Sequence, residues 1–497
     1  MAVQVVEPQW PNYGVVRRLG HFGNFALSEK PFTPWCVNVR PDDPFVHRFR
    51  GGSRLGLTDI SPADMMAMEA DGVLMLEGGD YLLHEGASED IPSGQVLTED
   101  GTPIWTEDGE EIVADNVAAT ESLSASVAES IRAFGVDSIT AVASDGTAPT
   151  DYTLGCVYRD RLVLGGADHI VYMSRQGDWT DWDYGADVED AQRAFLFQCS
   201  EAAEIGDTVT AIVPHRDMAM FASTKKGLWV MNGDPVDGGS LRWVSRDVGI
   251  LTNTAWCKAG DTLYFLSHDG LYSVNADGSG LKCLSGDSLP SELVDINTDT
   301  VSVFLGHNHD DDGVYIFLVG DDYHWFFDFN FNGFWPFTLP AANDPEAVFT
   351  HNGQMVLYDG TSSYWTTGGD DDDGTDIESH VVLGPFRFGS GVEFGILSAI
   401  HAAIDTDTGG SVTWNIITGD SAQDVCADAK SAIEAYMDDD TTTASGYVSA
   451  SGTWSDGRSF FSHPRVRGMW MAVWLYSTDK WAFEAMSLEA ANAGGWR

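Results

Sequence analysis

The sequence predicts a mainly β protein: a β-propeller with an acidic inserted or decorating segment and a C-terminal β-sandwich-like unit. Three observations predict it. The 497 residues include 53 Gly and 17 Trp, and aromatics make up 11%; aromatic strands broken by glycine turns give that mixture, and helical bundles do not. Residues 151–370 hold a train of short strand-like runs with no long helix-period stretch between them, a pattern of sandwiches, barrels and propellers. A local grammar also repeats, in which a strand ends in a Gly or Asp-Gly turn and returns through an aromatic: Lys226-Gly227-Leu228-Trp229, Asp269-Gly270-Leu271-Tyr272, Asn332-Gly333-Phe334-Trp335 and Gly360 to Trp365. Each reads as a blade hairpin with a large ring between neighbouring blades, and a degenerate repeat of roughly 40–50 residues gives about five to seven blades.

Residues 1–60 read as an N-terminal arm and the first strands of the propeller. Trp35 to Arg40 alternates like a strand, and Phe45 to Arg50 runs into Gly51-Gly52-Ser53-Arg54 as strand then tight turn. Residues 61–150 read as an insertion. Thr98-Glu99-Asp100-Gly101 is echoed by Thr106-Glu107-Asp108-Gly109, and Asp-Gly marks a hairpin turn. Leu123, Val127, Ile131 and Phe134 then share one face of a short helix.

Residues 151–370 form the propeller. Arg161 to Leu164 precede Gly165-Gly166, and Thr262 to Ser267 and Gly270 to Val274 make a tight pair around His268-Asp269. After a loop-like Gly368 to Gly374, residues 371–497 form the C-terminal β unit. Val412, Trp414 and Ile416 alternate along one of its strands. Met469, Met471, Val473 and Leu475 alternate along another, with Trp470, Trp474 and Tyr476 on its other side. A strand apolar on both faces is expected between layers or beneath a partner subunit. Residues 421–436 read as a short helix on this unit.

Charge narrows the function. Lys plus Arg number 26 and Asp plus Glu 76, for a net charge of −50. Such a polyanion repels nucleic-acid phosphate and anionic membrane alike, so specific nucleic-acid binding is not expected. The acidity reads either as solubility, or life in salt, or as a surface past which DNA slides without adhering. The arm runs the other way: residues 1–54 hold seven basic and four acidic residues, and could dock against a neighbouring acidic subunit. Six scattered cysteines make no CxxC or CxxH pair, so buried reduced thiols are expected rather than a zinc or redox site. No signal peptide and no apolar run of about 18 residues is read, and the expectation is a soluble chain made in a cytosol.

Nothing in the sequence asks for catalysis. GxSxG, HExxH and GxxxxGK[ST] are all missing, and with 76 acids any carboxylate pair is uninformative. His307-Asn308-His309 with Asp310-Asp311-Asp312 could hold a hard cation, but reads first as a solvated loop before the strand at Val314. Asp370 to Asp373 lacks the spacing of a calcium loop. Ser174 to Trp179 brushes against the Asp-box of sialidase-like propellers without its first Asp, and that motif is a structural turn. Arg465 and Arg467, beside Pro464, read as inter-subunit ion-pair partners, or as stems packed on Trp470 or Trp474. No catalytic, cofactor or metal residue is therefore expected. The residues singled out for a subunit interface are Arg48, Arg50, Arg54, Arg465, Arg467, Trp470 and Trp474.

The chain resembles the β-propeller virion proteins of tailed phages, notably the tail nozzle proteins of short-tailed phages. The stretches that carry the resemblance are Asn38 to Asp42 with Arg50 to Leu57, Tyr158 to Leu164 with Tyr172 to Arg175 and Asp181 to Asp183, Gly206-Asp207 to Pro214 with Gly227 to Val230 and Gly233 to Pro235, and Leu266 to Tyr272. Pro464 to Gly468 and Gly494 to Arg497 complete them. Residues 61–150 fall outside it. The resemblance implies a homo-oligomeric ring, commonly sixfold, at the distal end of the tail. It would dock to tail hub or adaptor proteins and tail fibres, and the phage genome would pass through it without specific binding. It further implies residence in the virion after synthesis in the host cytoplasm, no cofactor, and contact with the host envelope as an option. Two other classes stay open: an adhesin binding surface glycan through exposed Trp, and an enzyme degrading envelope polysaccharide.

Overall fold

The computed structural model describes residues 3–15, 31–46, 48–60, 148–184, 190–200, 207–215, 218–286, 289–309, 311–340, 343–351, 354–360, 363–388, 393–407, 409–455 and 458–495. The acidic hairpin and helix expected within residues 61–147 lie outside them. The chain opens with five short strands, β1 (Val3–Val6), β2 (Cys36–Val37), β3 (Val39–Arg40), β4 (Gly52–Ser53) and β5 (Gly56–Ile60).

Five four-stranded antiparallel sheets follow, the blades of a propeller. Blade 1 is β6 to β9 (Leu154–Tyr158, Arg161–Gly165, Ile170–Met173, Phe195–Gln198) and blade 2 is β10 to β13 (Val209–His215, Ala219–Thr224, Leu228–Asn232, Ser240–Ser245). Blade 3 is β14 to β17 (Trp256–Ala259, Thr262–Ser267, Gly270–Asn275, Lys282–Cys283) and blade 4 is β18 to β21 (Ser302–Asn308, Gly313–Val319, His324–Asp328, Gly333–Phe337). Blade 5 takes three strands from its own stretch, β22 to β24 (Ala347–His351, Gln354–Tyr358, Ser363–Gly369). Its fourth is β5, antiparallel to β24 from Ile60 opposite Ser363 to Gly56 opposite Gly369.

The blades meet through their first strands: β6 lies beside β10, β14 beside β18, and β18 beside β22. Blades 2 and 3 are tied where Thr210 Oγ1 donates to the Ile250 carbonyl at 2.7 Å and Lys258 Nζ donates to that of Pro214. The glycine-turn grammar lands on hairpins in all four places, between β11 and β12, β15 and β16, β20 and β21, and β23 and β24. The large rings pack between blades as expected: Trp229 of blade 2 lies in one apolar cluster with Tyr158, Val163 and Phe197 of blade 1.

The rest of the chain builds a sandwich. A small hairpin, β25 (Asp371–Asp372) and β26 (Thr375–Asp376), turns on Asp373 and Gly374, both left-handed at φ 49° and 80°, as a two-residue turn between twisted strands requires. Then come β27 (Ser379–Arg387), β28 (Glu393–Thr406), β29 (Ser411–Gly419), helices α1 (Ala422–Met437) and α2 (Thr441–Gly446), and β30 to β34 (Val448–Ser455, Ser459–Ser462, Val466–Gly468, Trp470–Ser477, Trp481–Gly495). One sheet has the order β2-β27-β33-β29-β30. The other runs β3-β4-β34-β28-β31, with β1 also on β34 and β32 on β28. Ser421 caps α1 by accepting the Asp424 N–H at 3.1 Å.

The two-faced apolar strand is β33, central in its sheet. Trp474 and Tyr476 on one side meet Tyr436 of α1, at ring separations of 5.8 and 4.8 Å. The chain's own helix supplies the cover, so Trp474 is buried without a partner subunit.

Residues 1–60 do not open the propeller as expected. Four of their strands, β1 to β4, pair within the sandwich, and β5 alone enters a blade. The reason lies in the aromatic and charged side chains between these strands, which need partners on both bodies. Trp10 stacks on Trp335 of blade 4 at 6.4 Å and meets Trp481 of β34 edge-on at 5.8 Å. One hydrophobic core runs without a break from the blades into the sandwich.

Candidate functional site: arginine clamps and two clefts

The arginines of the arm turn inward. Arg54 is buried and all its donors are satisfied. Nε donates to Asn38 Oδ1 at 2.9 Å, and Nη1 to Asp372 Oδ1 at 2.9 Å and to the Leu55 carbonyl. Nη2 donates to the Thr338 carbonyl at 2.9 Å and to Asp372 Oδ2. Asp372 also accepts the Leu57 N–H at 3.1 Å. A planar fork matched to a carboxylate is what Arg offers and Lys does not. Asn38, left-handed at φ 57°, completes the knot by accepting the Thr338 N–H and donating to the Glu378 carbonyl. Propeller, arm and sandwich meet in these few residues.

Arg50 makes the second clamp. Its Nε donates to Asp43 Oδ2 at 2.9 Å, Nη2 lies 3.4 Å from Asp405 of β28, and Nη1 pairs with Glu484 of β34. Burial would raise the Asp43 pKa, but Arg50 and the N–H groups of Val46, Arg48 and Phe45 outweigh it and hold the carboxyl below its ordinary value. Arg48 stands outside, 3.5 Å from Glu484 and more than half exposed. The basic arm thus docks on the acidic body of its own chain. Intramolecular partners are always at hand, and a neighbouring subunit must first be captured.

The proposed interface set is therefore divided. Arg54 and Trp474 are buried inside the monomer, which removes these two from any subunit contact, and Arg50 is engaged by its own chain's carboxylates with only its edge open. Arg48, Arg465 and Arg467 are exposed and Trp470 is half-buried. The stems expected on Trp470 or Trp474 sit otherwise: Arg467 lies over Phe394 at 4.6 Å, and Arg387 lies over Trp470 at 5.7 Å.

The sequence reading missed a third clamp. Arg161 is fully buried at the start of β7. Its Nε and Nη2 bind Asp234 at 3.0 and 3.2 Å, and its guanidinium also donates to the carbonyls of Ser174, Ala191, Gln192 and Arg193. It ties blade 1, the loop before β9, and blade 2 together. Its sequence signal is weak, an Arg heading an otherwise apolar strand run, Arg161-Leu162-Val163-Leu164.

The other candidates resolve into local structure. His307 Nδ1 lies 2.8 Å from the Gly313 carbonyl, while Asp311 accepts from Asn308 and from the Tyr315 hydroxyl at 2.7 Å; Asp310 is outside the described residues. Asp372 of the acidic run is the counter-ion of Arg54. Ser174 to Trp179 begins the connection between the third and fourth strands of blade 1, where Ser174 Oγ accepts the Leu162 N–H. No group of three His, Cys, Asp or Glu side chains converges as metal ligands among the described residues, and no described helix is long and apolar enough to cross a membrane. All six cysteines are free thiols, and burial pushes those of Cys156, Cys199 and Cys426 up to about 12.

Among the described residues, clefts open on the surface, two of which are well formed. The larger, about 830 Å³, lies between arm and sandwich, with Trp10, Phe49, Arg50, His401, Phe460 and Glu484 among its walls. The smaller, about 380 Å³, sits at one end of blade 1 and is lined by Asp160, Gln176, Gly177, Trp179 and Gln192.

No family model and no curated protein matches the chain. Solved structures do. The extracellular domain of a one-component-system protein from Bacteroides thetaiotaomicron shares 11% identity at a TM-score of 0.31, over 54% of this chain and 32% of that one. The β-propeller domain of Cps50 (Swd1) from Myceliophteria thermophila shares 9% at 0.28, over 50% and 69%. A luciferin-regenerating enzyme shares 12% at 0.26, over 45% and 80%. The chain thus spans about a third of the length of the first of these proteins. Overlaps of this size carry no functional weight, and the propeller assignment rests on the five four-stranded sheets themselves.

Proposed function

We propose that the chain is a structural subunit of a phage tail nozzle. Copies would assemble into a ring, docked to the tail hub, through which the genome leaves. One observation carries the reading: the chain bears a net charge of −50, and the buried guanidinium groups of Arg54 and Arg161 are each paired with a buried Asp, so a wall built from this chain would be strongly acidic. A wall of that kind offers DNA phosphates no counter-charge to release ions against, and DNA passes it without adhering. The clamps suit the same role, because a part that works by shape must hold two bodies at a fixed angle.

Imaging the purified protein and the intact particle by electron microscopy tests the proposal. A ring with its axial channel lined by carboxylates is expected. Monomers at high concentration, or a channel lined with Lys and Arg, would overturn it.

A further inference from the structure

The smaller cleft is built more carefully than a surface dent needs to be. Three turns form it: the hairpin loop Arg159-Asp160, the loop Arg175 to Trp179, and the segment around Gln192. They are stitched to one another, since Gly177 N–H donates to the Asp160 carbonyl at 2.8 Å and Gln176 N–H donates to that of Gln192 at 2.9 Å. Beneath them lies Arg161, whose buried guanidinium grips the carbonyls of Ser174, Ala191, Gln192 and Arg193. A cation with no exposure therefore fixes two of the three walls. The third is a two-residue hairpin turn: Arg159 and Asp160 are both left-handed, at φ 51° and 57°, as such a turn requires. Turns locked by a buried shell keep one shape, which a pre-organised binding site needs.

The lining has one chemistry. Trp179 is half-buried, packed below against the aromatic cluster of Trp182, Tyr172 and Tyr184. Around it stand two carboxamides, Gln176 and Gln192, and one carboxylate, Asp160. Gly177 faces open space, with no atom near where a side chain would begin, so a ligand can approach the backbone. An apolar ring beside planar groups that both donate and accept matches a pyranose, with a C–H face to stack and hydroxyls to bind in pairs. Asp160 and the charge of −50 exclude acidic sugars. A quaternary ammonium would want a cage of several rings, and the lining holds a single aromatic. The volume of about 380 Å³ lies at the small end of ligand pockets and suits a short saccharide.

We infer that this cleft at the end of blade 1 binds a neutral saccharide, stacked on Trp179 and hydrogen-bonded by Gln176, Gln192 and Asp160. The inference is independent of the nozzle reading, since a ring could form with or without a sugar in this cleft.

The test uses the full chain and ligand-observed saturation-transfer NMR. The probes are methyl glycosides of glucose, galactose, mannose and N-acetylglucosamine, with sialyllactose and choline as controls. At least one neutral glycoside is expected to bind and both controls to fail. Trp179→Ala should weaken binding about tenfold or more, the loss of one stacking contact. Gln176→Ala should weaken it several-fold with melting temperature unchanged, which separates loss of the site from loss of the fold. Silence from all four glycosides overturns the inference. So does binding that survives both substitutions, or equal binding of sialyllactose or choline.

Discussion

At the scale of single residues, buried charge decides more than surface charge. Removing one partner of a buried pair leaves the other stranded and costs roughly 3–5 kcal/mol, whereas an exposed pair is worth about 0–1. Arg54→Ala, which strands Asp372, should therefore lower unfolding free energy in urea by about 3–5 kcal/mol. Arg48→Ala, at the exposed edge of the same arm, should change it by under about 1. Equal effects would mean that the Arg54 knot does not hold the arm.

Asp328 makes the opposite prediction. Burial, partly opposed by the Phe331 N–H and reinforced by Asp42, raises its pKa to about 6. A carboxyl that holds its proton more tightly folded than unfolded strengthens the fold as pH drops from above 6 toward 4. At neutral pH it is a burden. Asp328→Asn keeps the acceptor for Phe331, 2.7 Å away, and removes the charge. The variant should gain up to about 3 kcal/mol at pH 8 and little at pH 4, read from melting curves at the two values. A gain equal at both pH values would refute the assignment.

At the scale of elements, the informative feature is which strands the sequence could announce. Hairpins were legible because their cause is local: Asp269-Gly270 and Asn332-Gly333 sit at turns that any chain with those residues would favour. Helix α1 was read at residues 421–436 and spans Ala422–Met437, so both its ends were placed within a residue. The fates of β1 to β4 were not legible, because two-residue strands such as β2 and β4 carry no period, and their partners β27 and β34 lie more than 300 residues away. The same separation hid the clamps. Arg50 and Arg54 looked like free cations on a basic arm because Asp43 alone of their counter-ions is nearby in sequence, and Asp372 and Asp405 are not. Arg161 and the cleft above it were invisible for a further reason: carbonyl ligands leave no side-chain signature.

A test belongs at this scale too. Strand β5 closes blade 5 by pairing with β24 and is anchored at Leu57, so proline there is a sharp probe. Leu57 is buried and its N–H is held by Asp372. Leu57→Pro should cost about 3 kcal/mol or more and split the unfolding transition, with blade 5 loosening first in hydrogen exchange. A single transition at the wild-type midpoint would show that the Leu57 N–H bond to Asp372 is not what holds β5 on the blade.

At the scale of the whole molecule, the described residues form two β bodies that share a main hydrophobic core and are riveted by an inward-turned arm. The expected behaviour toward DNA follows from charge. Mobility-shift assays should show no retardation of duplex DNA even at low salt, where a surface of net positive potential would bind most strongly. Retention that weakens with added salt would expose a cationic stripe and sink the acidic-wall argument.

The pairing of β1 with β34 sets a rule for how the molecule is made. Val3 lies opposite Ala491, so β1 has no sheet neighbour until β34 has been made. Blade 5 likewise idles until its own three strands arrive to receive β5. Blades 1 to 4 can form as they emerge, while β1 and β5 wait for partners hundreds of residues downstream. A chain cut anywhere before β34 should therefore be left with loose sheet edges, which invite pairing with other chains.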